Sequence, residues 1–146
     1  MKKVSKNKIF QLSAFKFVRY ILFTNGIVDL FAAITLFFPI LNLSLPGYSS
    51  YTNELEFVAG GWAIAALTFG IGRIWMSCKP EFYRVMVILG MFEGFTLSFF
   101  CLVNVFFLRI SLLQVMLPLV VGSVYGVLYF IVLLVTGFEN PIEKRE

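Results

Sequence analysis

The chain contains no histidine among its 146 residues. That absence excludes histidine-ligated haem, histidine-built zinc or iron sites and any imidazole general base. Charge is scarce too: 14% of residues are Asp, Glu, Lys or Arg, against about 25% in an average soluble domain. Cysteine is limited to Cys78 and Cys101. They form neither a CxxC pair nor a zinc set, and their expected depths differ too much for a disulfide, whose Cα atoms approach within about 7 Å. No phosphate-binding glycine loop, GxSxG, HExxH or aromatic-basic nucleic-acid surface occurs. A metal, a cofactor and a nucleic-acid partner therefore have no residues to point to, and catalysis would rest on a single carboxylate with no second partner class beside it.

What is present is hydrophobic. Apolar residues make up 60% of the chain, with eighteen phenylalanines, and the mean hydropathy is +0.90. This excess marks an integral membrane protein. Four runs reach the roughly 17–25 residues needed to span a bilayer: about 17–43, 55–77, 81–107 and 111–136. They are too long and too continuously apolar for barrel strands of about 9–11 alternating residues. The expected fold is all-α, an integral membrane four-helix bundle over 17–136. A basic tail (1–16) precedes it and a short tail (137–146) follows.

The basic start is followed by an apolar run longer than a signal peptide's roughly 7–15 residues, with no A-x-A-like site. It is read as a retained first membrane helix. Boundary chemistry agrees with the spans. Asn53 with Glu56, and Ser111 with Gln114, have capping-box spacing. Pro80 then Glu81 suits the first turn of the third helix.

Eleven Lys/Arg fall on one side of these spans: six in the N-terminal segment, then Arg73, Lys79, Arg84, Lys144 and Arg145. Arg109 is alone on the other. The positive-inside rule predicts both termini in the cytoplasm, in a multi-pass protein of the inner or plasma membrane.

The chemistry-bearing residues sit inside the spans. Asp29 is ten residues past Arg19 and Glu93 ten past Tyr83, so both lie about 15 Å in. Tyr125, eleven residues before Thr136, shares that level at about 16 Å. GIVDLF (Gly26–Phe31) and GMFEGF (Gly90–Phe95) share the pattern G-x-x-acid-x-F. This echo admits a parallel repeat of two helical hairpins.

Small-residue stripes let membrane helices approach closely. Ala59, Ala63, Ala66 and Gly70 form one leading to Arg73, and Gly122 and Gly126 another beside Tyr125 and Tyr129. The acids are therefore expected to face an interior built against the second and fourth helices.

A charge at the bilayer centre costs about 2.5–3.5 kcal/mol on insertion scales. Asp29 and Glu93 avoid it by carrying a proton, by pairing with Arg73, or by lining a wet cavity. Arg73 starts about 9 Å nearer the cytoplasm. The candidate ligand or proton site comprises Asp29, Glu93, Tyr125, Asn25, Arg73 and Trp62. The plainer alternative is a hydrogen-bonded pair that only locks helix register. For Trp62 it is simple packing or interfacial anchoring.

The stretch EFVAGGWAIAALTFGIGR (Glu56–Arg73) followed by KPEFYR (Lys79–Arg84) resembles small four-helix bacterial membrane proteins of the DoxX-like and BphX-like type. The resemblance implies the four-helix fold, and association with redox or catabolic systems in some members. Three readings stay open. One is a non-enzymatic protein binding a hydrophobic small molecule or membrane-protein partner at a midplane polar pocket. Another is a proton- or cation-coupled transporter acting as a homodimer. The third is an accessory subunit of a membrane redox enzyme.

Overall fold

A computed structural model describes residues 6–37, 53–107 and 111–136. Four α-helices account for nearly all of them: α1 (Lys6–Phe37), α2 (Asn53–Met76), α3 (Tyr83–Phe107) and α4 (Leu112–Thr136). A single 3-10 turn, Pro80–Phe82, precedes α3. Four stretches are long and apolar enough to cross a membrane: Ala14–Phe37, Phe57–Met76, Pro80–Phe107 (the 3-10 turn with α3) and Val115–Thr136. In hydrocarbon a helix satisfies its own backbone, which is why such runs adopt no other open structure. Large apolar side chains stay exposed, among them Phe57 at 84% and Phe107 at 79%. In water that surface would aggregate, whereas acyl chains cover it at no cost.

Two boundaries differ from the sequence expectation. α1 is already helical at Lys6, the first described residue, ahead of the apolar run expected from about residue 17. The basic segment holds no proline or glycine to stop a helix, so the helix runs on beyond the apolar span. Pro80 and Glu81 belong to the 3-10 turn and not to α3 itself. There the Phe82 amide donates to the Lys79 carbonyl (3.1 Å), a three-residue ring that proline at the first position permits. Residues 38–52, Arg109 and the C-terminal tail lie outside the described residues, as do the Asn53, Glu56 and Gln114 side chains of the expected caps.

The chain divides into two compact units, residues 1–22 with 76–146, and residues 23–75. In the first, α3 and α4 pair antiparallel. Gly94 meets the backbone of Gly122 and Gly126, and Gly90 meets the Tyr129 ring. The Ser98 hydroxyl bonds to the Gly94 carbonyl (2.8 Å) and lies 3.0 Å from the Ser123 hydroxyl. Val18, Ile21 and Leu22 of α1 pack with Tyr83, Val87, Tyr129, Val132 and Leu133 as its core. Cys101 is buried and Cys78 exposed, and neither is in a disulfide.

In the second unit, the later part of α1 pairs antiparallel with α2. Gly26 faces Gly70 and Ile74, and Leu30 faces Gly70. A Cβ on Gly26 would lie 2.8 Å from the Gly70 carbonyl oxygen, so the two backbones touch with no side chain between them. Ala33, Ala59 and Ala63 of the same two helices are buried. The expected small-residue stripe of α2 is thus a packing surface within this unit.

Candidate functional site

The close crossing at Gly26 and Gly70 sets the site. Leu30 packs on Gly70, so Asp29 stands about level with it. Arg73 is then about one turn, or 4.5 Å, below Asp29, half the offset expected from depths alone. A guanidinium on a three-carbon stem spans that easily. Arg73 Nη1 donates to Asp29 Oδ2 in an ion pair. Asn25 Nδ2, one turn back on α1, donates to Asp29 Oδ1 at 3.3 Å. The Arg73 guanidinium also lies over the Phe69 ring, 5.8 Å from its centroid, a cation–π contact that keeps its charge favourable away from water.

Of the three ways to keep an acid in a span, Asp29 uses pairing. The pair has no net charge, which removes most of the insertion penalty of either member. Its two halves are not equally covered. The Arg73 side chain is 3% exposed and that of Asp29 15%.

Asp29, Arg73 and Asn25 come together. Trp62 is exposed on α2, eleven residues and about 16 Å along the helix from Arg73, so it forms no wall of this cluster. Tyr125 and Glu93 belong to the other unit. Tyr125 is half-buried on α4, its ring 6.3 Å from that of Tyr129.

Glu93 lies off the face that α3 turns to α4. It is exposed. The buried face of α3 runs through Val87, Gly90, Gly94, Ser98 and Cys101, and at about 100° per residue Glu93 points roughly 90° away from its centre. Sequence reasoning missed Phe69, whose position four residues before Arg73 was the available signal.

Among the described residues, no three metal-binding side chains cluster. A small cavity between Ala14, Phe17, Ile131, Val132, Val135 and Thr136 is apolar and includes none of the predicted residues.

Four membrane-length helices, apolar exposed faces and a compensated charge pair within the spans define a multi-pass integral membrane protein. No protein-family model, curated protein or solved structure matches the chain.

Proposed function

We propose that this chain is a non-catalytic membrane protein that binds a hydrophobic ligand or membrane partner at the Asp29–Arg73–Asn25 cluster. The uneven cover of the ion pair supports this reading. Each Asp29 oxygen accepts one hydrogen bond, while a carboxylate has about four lone-pair sites. The accessible member is the acceptor, and the cation is hidden. The edge left open suits a hydroxyl, amine or amide donor on an otherwise apolar molecule. In hydrocarbon such a donor has few other partners.

Protein purified in mild detergent is expected to carry a small molecule visible in native mass spectra. The variant D29N/R73M, which removes both charges at once, is expected to lose it. A clean wild-type spectrum, or equal retention by the double variant, would sink the proposal. A co-purifying protein in place of the small molecule would identify the chain as an accessory subunit instead.

We infer an orientation with both termini in the cytoplasm from the eleven-to-one partition of Lys and Arg. Cys78 offers a direct test, since it is exposed at the α2–α3 turn while Cys101 is buried. A membrane-impermeant maleimide should label Cys78 in inside-out vesicles and leave it untouched in right-side-out ones. The reverse pattern would overturn the orientation.

A further inference from the structure

The α2–α3 turn and the start of the α1 span gather basic residues that the Asp29 cluster does not use. Lys16, Arg19, Lys79 and Arg84 are all exposed there, with Glu81 as the accompanying acid. The spans begin at Ala14 and Pro80, so all four lie within about 8 Å of a span boundary along their helices. That is the depth of the headgroup layer, which long basic side chains reach by snorkelling.

The corner is held rigidly. The Lys79 amide donates to the Met76 carbonyl (2.9 Å) and the Phe82 amide to that of Lys79 (3.1 Å). The Tyr83 hydroxyl donates to the Ser77 carbonyl (2.5 Å). The Phe15 ring lies 6.0 Å from the Tyr83 ring, and Arg19 is one turn further along the same face of α1. Arg84 follows Tyr83 directly, and the Lys79 side chain makes no capping bond. None of the four basic residues is in an ion pair among the described residues. Their charge is therefore available, and the turn that carries it is fixed by bonds of its own.

We propose that this corner binds the phosphate of an anionic phospholipid headgroup, with Arg19, Lys79 and Arg84 as its cationic partners. Guanidinium groups match phosphate oxygens in forked geometry. Exposed Phe17, Phe82 and Val85 flank the cations and suit the glycerol and upper acyl chain, which a free phosphate or a nucleic acid lacks. A zwitterionic headgroup would bring its own cation against three others. The proposal does not depend on the Asp29 reading.

The test uses the full chain, delipidated in detergent and given equal amounts of phosphatidylglycerol and phosphatidylcholine, with bound lipid read by native mass spectrometry. Phosphatidylglycerol should be retained preferentially. Each basic residue near an anionic surface contributes about a fivefold effect, so R19Q/K79Q/R84Q should weaken that retention on the order of a hundredfold and leave phosphatidylcholine unchanged. These side chains are exposed, so the variant should melt like wild type. The tail variant K144Q/R145Q should retain the preference. Absence of a preference in wild type, its survival in the triple variant, or an equal loss in the tail variant would each overturn the site.

Discussion

Replacing Arg73 with methionine is expected to lower the stability of the folded protein by about 3–5 kcal/mol, the cost of stranding one member of a buried ion pair. Asp29 would then stand within its span without the cation that compensates it. Asp29→Asn should be comparably damaging, because Arg73 is the more deeply buried partner. The double variant D29N/R73M should recover most of the loss, since it leaves no isolated charge and keeps the volume of both side chains nearly constant. The quantity to measure is the unfolding midpoint in detergent for all four members of the cycle. A large favourable coupling is expected, because residues in direct contact do not add. If the single variants melt within about 1 kcal/mol of wild type, or their effects simply sum, the pair does not hold α1 to α2.

Gly94→Leu should disrupt the α3–α4 pair. A Cβ at position 94 would lie 2.6 Å from both the Gly122 carbonyl oxygen and the Gly126 amide nitrogen. Those are backbone atoms of a helix and cannot rotate aside, so the helices must separate. Overpacking costs typically 1–3 kcal/mol and occasionally more. Separation also takes with it the contact between the Ser98 and Ser123 hydroxyls. Gly61→Ala and Gly72→Ala are the internal comparison, because nothing lies within 4 Å of a Cβ at either position. Both should melt at or slightly above wild type, since alanine is about 0.5–1 kcal/mol better than glycine inside a helix. A Gly94→Leu protein as stable as Gly72→Ala would show that the crossing is not close-packed.

The membrane class and the four helices were legible in the sequence. The bilayer sets the length of a span and forbids open backbone inside it, so uninterrupted apolar runs read as helices. Their ends were less legible. α1 continues back to Lys6 because the basic segment holds no proline or glycine to stop it. The small residues of α2 were also readable as a packing stripe, since only close backbone approach gives glycine and alanine a regular use on a membrane helix.

The fate of the two acids was not readable in the same way. GIVDLF and GMFEGF place Asp29 and Glu93 at matching depths by counting rise along a helix, which is a local property. Whether each acid faces a neighbour depends on where two helices touch most closely. α1 meets α2 through Gly26, which brings Asp29 alongside Arg73. α3 meets α4 through Gly94, the residue after its acid, and Glu93 is turned about a quarter of a revolution away. By itself the sequence determined a multi-pass helical protein, its approximate spans and the depth of its polar residues. The tertiary structure alone decided that Asp29 meets Arg73, because a helix's rotation is set by contacts with a segment distant in the chain.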